Sequence, residues 1–112
     1  MKKTFLICPV RHADQARARD VVCELERDGW RVHWPYQDTN QDDPTGLRIC
    51  SDNRDAIADA DAVHFMWDGK SQGCLFDLGV AFALNKPIVP VDMPPPTEGK
   101  SFQNMVRAWS KL

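Results

Sequence analysis

Two short segments of the 112-residue sequence carry side chains whose types and spacing could do chemistry. The first, Cys8-Pro-Val-Arg11, follows an apolar run and offers a guanidinium, which can hold a phosphate or a carboxylate in a bidentate contact. The second runs from Ser71 to Asp77 and opens an apolar helical pattern with small or polar residues and one carboxylate. The amides at a helix N-terminus bind anions, and a carboxylate beside a bound sugar can act as nucleophile or base. Together the segments predict an anion site next to an acid.

Each of these residues also has an ordinary structural explanation. Arg11 would serve equally as a solvated charge after a strand, and Ser71 as a helix cap alone. Asp77 would then be an acid that the helix dipole and the free amides of the first turn hold in its charged form. His12 could donate a proton, although a single histidine after a strand is more often incidental. The residue types alone leave both interpretations open.

Apolar periodicity predicts alternating strands and helices around these segments. Strands are expected at residues 4–8, 30–34, 61–67 and 87–91. Helices are expected at about 13–28, 47–60 and 101–109, and another begins near Ser71. Ser101 or Thr97 is expected to cap the last helix. Leu75, Leu78 and Phe82, with Gly79, recur at helical spacing and should pack on the sheet. Residues 35–45 are predicted to form a polar loop, and loops of this length often bind ligands.

Strand-helix alternation of this kind predicts right-handed βαβ units and a parallel sheet with helices on both faces. We expect a single α/β domain over residues 1–112, a flavodoxin-like three-layer sandwich of four parallel strands, or five, in the order 2-1-3-4. The strand order reverses between the first and third strands, and ligands bind at such switch points. The loops after Cys8 and Trp67 should therefore converge there.

The composition and net charge limit the classes of partner and ligand that we expect this protein to bind. The net charge is −2, so no basic field indicates nucleic acid or an anionic membrane. No apolar run approaches the ~20 residues of a membrane span, which makes the cytoplasm the expected location. The sequence contains no C-x-x-C pair and no histidine pair at ligand spacing, so free thiols are expected and neither a metal site nor a cofactor is predicted. The cysteines are Cys8, Cys23, Cys50 and Cys74.

The segment from Asp61 to Ile88 resembles the nucleoside 2-deoxyribosyltransferase family. An acidic strand start, the run Ser71-Gln-Gly-Cys-Leu-Phe-Asp77-Leu-Gly-Val-Ala and a following Lys-Pro-Ile are similar to the family's pattern. Family transferases that act on free nucleosides carry an acid six residues before the catalytic Glu. The 2'-deoxynucleoside 5'-phosphate N-hydrolases carry a Ser there, with an Arg in the loop after the first strand. Ser71 and Arg11 look like this nucleotide branch.

The resemblance implies a role for each matching residue. Asp77 would attack the anomeric carbon of a nucleotide to give a covalent intermediate, and Asn53 stands where the family has a supporting acid. Arg11 and Ser71 would hold the 5'-phosphate. The remaining substrate-binding positions are Gly73, Asp68 and Pro9.

Several other residues are candidates for a subunit contact or for stacking on the base. Gln103 falls where the family's last helix approaches a neighbouring subunit's site, which suggests a homo-oligomer. Tyr36 and Trp34 are candidates to stack on a base, or else core residues. His33 and His64 alternate with apolar neighbours in strands and receive no role.

Two departures from the family pattern leave three hypotheses open. Asp77 is one methylene shorter than the family's Glu, and Asn53 cannot exchange a proton as a carboxylate does. Asp52 or Asp55 could substitute only if their helix shifted register. The preferred hypothesis is an N-glycosidase or deoxyribosyltransferase-like enzyme acting on a nucleotide. The second is a non-catalytic nucleotide-binding or sensing module, and the third a TIR-like or other flavodoxin-like interaction domain without a nucleotide.

Overall fold

A computed structural model describes residues 2–11 and 13–112. Its elements, in chain order, are β1 Lys3–Ile7, α1 Ala16–Arg27, β2 Arg31–His33, α2 Pro35–Asp38, α3 Leu47–Asp59, β3 Ala62–Met66, α4 Gln72–Ala83, β4 Ile88–Asp92 and α5 Phe102–Trp109. His12, considered above as a proton donor, lies outside the described residues. None of the helices within these ranges is long and apolar enough to cross a membrane.

The four strands form one parallel sheet in the order β2-β1-β3-β4, which confirms the predicted topology. Thr4 of β1 pairs with Val32 of β2 on one side and with Ala62 of β3 on the other. Every residue of β3 is buried, as are the last four residues of β1. This explains their near-continuous apolar sequences, because central parallel strands are covered on both faces.

Successive side chains of β1 enter two separate cores. Phe5 and Ile7 pack with residues of α3, α4 and α5 on one face of the sheet. Leu6 packs with Val21 and Leu25 of α1 on the other face. Burial of each such side chain contributes about 1.5–3 kcal/mol, so these cores fix the position of the loop that follows β1.

Helix α4 faces the sheet with a different stripe from the one expected. Its buried residues are Cys74, Asp77, Leu78 and Ala81. The expectation that Gly79 and Phe82 pack on the sheet was wrong, since both are exposed and Phe82 exposes 58% of its surface. The Phe82 ring instead makes an edge contact with Trp109 of α5, at 5.3 Å between ring centroids. Helical spacing alone does not separate two adjacent apolar stripes when most of a helix is apolar.

Segment 35–45 was predicted to be loop throughout, but it begins with the one-turn helix α2. Pro35 opens this turn with its fixed φ, and Asp38 Oδ2 accepts a hydrogen bond of 2.8 Å from the Trp34 amide. At the other end of the chain, Ser101 caps α5, because its Oγ accepts a bond of 3.1 Å from the Asn104 amide. Local side-chain bonds of this kind decide where short helices begin.

Candidate active site

A cavity of about 600 Å³ lies at the carboxyl ends of β1 and β3, bordered by the loops after these strands, by α3 and by the start of α4. It brings together all but one of the predicted site residues, namely Pro9, Arg11, Asn53, Asp68, Ser71, Gly73 and Asp77. The cavity is also lined by Cys8, Val10, Lys70 and Gln72, which belong to the two loops expected to converge here. Its remaining residues, Pro35, Gln41 and Ile49, were not selected as site residues from the sequence. Convergence at this edge follows from the strand order, as expected for a switch point.

Asp77 is a buried acid whose proton is held more tightly than usual. It lies in the second turn of α4 and is only 8% exposed. Burial raises the pKa of its carboxyl from 3.8 to about 7, and a hydrogen bond from the Asn53 side chain opposes this rise. The expectation that the helix dipole holds the acid in its charged form was therefore wrong. The free amides and the helix dipole act mainly on the first turn, and Asp77 lies in the second.

Asn53 faces the cavity from α3 with only 6% of its surface exposed. Its Oδ1 accepts a hydrogen bond of 2.7 Å from the Thr39 hydroxyl. The neighbouring acids Asp52 and Asp55 lie on the exposed side of α3, so α3 shows no register shift that would bring either of them to the site. The amide of Asn53 is thus the group that faces Asp77 from this helix.

Thr39 and His33 extend the polar contacts behind Asn53. The Thr39 hydroxyl lies 2.9 Å from His33 Nε2, and the His33 ring stacks on Phe5 at 5.2 Å between centroids. Burial lowers the pKa of His33, although the charges of Asp38 and Asp52 raise it. Neither Thr39 nor His33 was selected from the sequence. The loop position of Thr39 carries no periodic signal, and the contact depends on how the loop folds back over β2.

The start of α4 is ordered by its own side chains. Ser71 Oγ accepts a hydrogen bond of 3.4 Å from the Cys74 amide, so Ser71 is the helix cap. Asp68 Oδ1 accepts bonds of 2.9 and 2.8 Å from the amides of Lys70 and Ser71. Burial alone would raise the pKa of the Asp68 carboxyl, but these amides lower it below its ordinary value. The first helical amides, of Gln72 and Gly73, belong to residues on the cavity wall and suit an anion.

Arg11 borders the main cavity and a second cavity of about 580 Å³ beside it. Tyr36, Gln41 and Ile49 also line the second cavity. Tyr36 is 46% exposed and can still stack on a ligand ring, whereas Trp34 is 2% exposed and belongs to the core. Of the two aromatic candidates for base stacking, Tyr36 therefore remains.

Residues 5–105 match the model of the family Nucleoside 2-deoxyribosyltransferase. The chain belongs to this family. No curated protein sequence matches it. The solved structures similar to this family member include two with a TM-score of 0.67 each. One is the CMP N-glycosidase BcmB of Clostridium botulinum, with 23% identity over 97% of this chain and 83% of that chain.

The other similar structure is a 2-deoxyribosyltransferase from the psychrotolerant bacterium Bacillus psychrosaccharolyticus. It shares 20% identity, over 93% of this chain and 79% of that chain. At these identities the two structures support the fold of this deoxyribosyltransferase family member, and the family match covers both catalytic candidates.

Gln103 is the predicted site residue that does not line the cavity of this family member. Its Nε2 donates to the Pro95 carbonyl at 3.3 Å. The neighbouring Asn104 holds the same loop, donating from Nδ2 to the carbonyls of Thr97 and Gly99 at 2.8 and 2.6 Å. A role for Gln103 at a neighbouring subunit's site stays a prediction. Within residues 2–11 and 13–112, no group of three or more His, Cys, Asp or Glu could hold a metal ion.

Proposed function

We propose that this chain breaks the N-glycosidic bond of a nucleoside 5'-monophosphate, with the Asp77 carboxylate as nucleophile. The observation that carries the proposal is the position of Asp77, which is buried on the wall of the cavity that Arg11 and Ser71 also line. A nucleophile and an anion site on one cavity wall suit a substrate that has a sugar between a base and a phosphate.

The proposed reaction has two steps. An Asp77 oxygen forms a bond to the anomeric carbon of the sugar, while the bond from that carbon to the base nitrogen breaks and its electron pair leaves with the base. A water oxygen then attacks the same carbon, the bond from that carbon to the Asp77 oxygen breaks and the Asp77 carboxylate is regenerated. The proton that the water loses balances the proton that the departed base takes up. A second base in place of water gives transfer instead of hydrolysis. This double displacement is the logic of retaining glycosidases.

The phosphate preference rests on Arg11 and on the start of α4. A guanidinium can hold two phosphate oxygens at once, and the amides of Gln72 and Gly73 add donors at the positive end of a helix. Similarity to a CMP N-glycosidase agrees with a monophosphate substrate, as does the serine at position 71. Tyr36, which lines the adjoining cavity, is the residue we propose for stacking on the base.

A specific observation also favours a second function, a nucleotide-binding or sensing module without catalysis. Because the pKa of Asp77 is about 7, roughly half of the molecules carry the ionised nucleophile at neutral pH. The supporting position holds the amide of Asn53, which donates no proton to a leaving base. Either feature would slow the reaction, while leaving the phosphate contacts of Arg11 intact.

The deciding experiment incubates the protein with ribonucleoside and deoxyribonucleoside monophosphates of every base, and measures binding by calorimetry and free base by chromatography. The enzyme hypothesis predicts base release that Asp77→Asn abolishes. Asp55→Asn, which removes an exposed carboxylate from α3, is the matched control and should retain activity. Binding without base release would select the sensing module. Neither binding nor release would contradict both and leave an interaction domain.

We further propose that the chain forms a homo-oligomer through the outer faces of α4 and α5. Phe76 and Phe82 on α4 and Phe102 on α5 expose 50, 58 and 50% of their surfaces, and aromatic residues are enriched at protein interfaces. Gln103 lies on the same helix as Phe102. Sedimentation velocity should give a mass above that of one chain, and Phe82→Ser should lower it. A monomer at all concentrations would contradict the proposal.

A further inference from the structure

Three polar side chains form a connected path that ends at Asp77. His33 ends β2, Thr39 follows α2 and Asn53 lies on α3, so three separate elements contribute to it. His33 Nε2 lies 2.9 Å from the Thr39 hydroxyl, which donates to Asn53 Oδ1 at 2.7 Å. Asn53 and Asp77 line the same cavity, where burial raises the pKa of the Asp77 carboxyl and a hydrogen bond from the Asn53 side chain lowers it. Thr39, Asn53 and Asp77 are each at most 8% exposed, so the path is largely shielded from bulk solvent.

The chemistry of the groups fixes the direction of every bond in the path. A threonine hydroxyl has one proton, and here it is directed at Asn53 Oδ1. The Oδ1 end of the amide is turned to Thr39, and only the nitrogen end can donate to Asp77 and lower its pKa. With its proton used, the Thr39 oxygen accepts from His33, which places the ring proton on Nε2. Each donor in the path thus points towards Asp77.

An asparagine at position 53 needs hydrogen-bond partners that fix its orientation, whereas a carboxylate at the same position would not. The oxygen and nitrogen ends of an asparagine have nearly the same shape, so packing alone does not choose between them. With its nitrogen towards Asp77 the amide donates to the ionised acid, whereas with its oxygen there it would favour the protonated acid. A carboxylate at position 53 has two equivalent oxygens and no such choice.

We propose that Thr39 and His33 are positioning residues that keep the amide nitrogen of Asn53 turned towards the nucleophilic carboxylate. The catalytic consequence rests on the proposed function, because it concerns the nucleophile of that reaction. The orientation itself is a property of the free protein and can be measured without any substrate.

The test compares Thr39→Val, which keeps the shape but removes the hydroxyl, with Thr39→Ser, which keeps the hydroxyl. The pKa of the Asp77 carboxyl is followed by ¹³C NMR, with Asp77→Asn to assign the signal. In Thr39→Val the amide can turn, so the pKa of Asp77 should rise by roughly one pH unit, and Thr39→Ser should restore it. His33→Phe, which preserves the stacking on Phe5, should give a smaller rise. The titrating and charged groups near Asp77 that these variants leave unchanged are Cys8, Cys50, Cys74, Arg11, Lys70 and Asp68.

A wild-type measurement keeps the test decisive if Thr39→Val does not fold. The Nδ2–H signals of Asn53 should shift with pH at the same midpoint as the Asp77 carboxyl carbon. Asn53 signals that do not shift as the Asp77 carboxyl titrates would overturn the proposal. A folded Thr39→Val protein with an unchanged Asp77 pKa would overturn it as well.

Activity adds a separate outcome that distinguishes this proposal from the proposed function. If the wild type releases base, Thr39→Val should lower kcat roughly ten-fold with KM nearly unchanged, and Thr39→Ser should recover it. If the wild type releases no base, the proposed reaction fails, while the NMR titrations still decide whether Thr39 orients Asn53.

Discussion

Arg11 and Asp77 line one cavity, the arginine from the loop after β1 and the aspartate from the second turn of α4. The two residues are far apart in sequence and meet because β1 and β3 are neighbours in the sheet. One side chain is a fixed cation that suits a phosphate, and the other is a buried acid whose pKa is about 7. Each can therefore be tested by a different measurement.

Arg11→Ala should weaken the binding of nucleoside monophosphates far more than that of nucleosides. Loss of charge-assisted hydrogen bonds to phosphate is expected to raise KM or Kd by roughly ten- to a hundred-fold, because each is worth about 1.5–3 kcal/mol. Calorimetric titration of matched nucleoside and monophosphate pairs measures this. Arg54→Ala, which removes an exposed arginine paired with Asp55 at 3.1 Å on α3, is the control. Equal weakening of both ligands would argue against a phosphate contact at Arg11.

Asp77→Asn should stabilise the protein at pH 8 and leave it nearly unchanged at pH 4. The carboxyl has a pKa of about 7 when folded, against 3.8 as its ordinary value, so the native state binds the extra proton between these pH values. The stability of the wild type relative to Asp77→Asn therefore falls as pH rises from about 4 to 7, by up to about 4 kcal/mol. Urea unfolding of both proteins across this range checks the sign. If the wild type gains stability relative to Asp77→Asn as pH rises, then folding lowers the pKa of the Asp77 carboxyl and the expected sign is wrong.

Base release should increase with pH, with its midpoint at about 7, and level off about one pH unit higher. The nucleophile must be ionised, and kcat/KM reports the pKa of the free enzyme's essential group. Free substrate phosphate titrates near pH 6 and also affects kcat/KM, so kcat at saturating substrate, which reports the enzyme–substrate complex, is measured as well. Stopped assays between about pH 5.5 and 8 are sufficient. A flat profile over this range would remove Asp77 as the titrating nucleophile.

Gly73→Ala and Gly79→Ala add the same methyl group to α4 at two different surfaces. At Gly73 the added carbon would meet Ser71 Oγ at 3.9 Å, an ordinary contact, and at Gly79 nothing lies within 4 Å. Both changes should stabilise the helix, by up to about 1 kcal/mol, because alanine favours helix over glycine.

Only Gly73→Ala should weaken nucleotide binding, since Gly73 lines the cavity and Gly79 is exposed outside it. Thermal unfolding measures the change in stability, and calorimetry measures the change in nucleotide affinity. Equal nucleotide affinity in both variants would place the ligand away from the start of α4.

Much of the site was predictable because it depends on local patterns and on one topological rule. Apolar runs such as residues 4–8 indicate buried strands, and right-handed crossovers then limit the strand order. Once β1 and β3 are neighbours, the loops that carry Arg11 and Ser71 must meet. Asn53 lies four residues from both Ile49 and Ile57, a helical spacing that predicts an inward position, and it is buried in the structure.

The features that the sequence left open depend on packing between distant elements. Phe82 is exposed because the rotation of α4 about its axis is set by contacts with the sheet, and helical spacing alone did not distinguish the two stripes. The short helix α2 forms through a bond between Trp34 and Asp38, within a segment whose composition predicts only a loop.

By itself, the sequence determined the order of elements, the parallel sheet and the convergence of Arg11, Ser71 and Asp77 at one edge. Only the tertiary structure decided that burial raises the pKa of Asp77 to about 7 and that the Thr39 hydroxyl donates to Asn53 Oδ1. The physical reason is that apolar periodicity and the right-handed crossover rule depend only on the order of residues along the chain. Desolvation and side-chain hydrogen bonding instead depend on which groups distant segments bring within a few ångströms of each other.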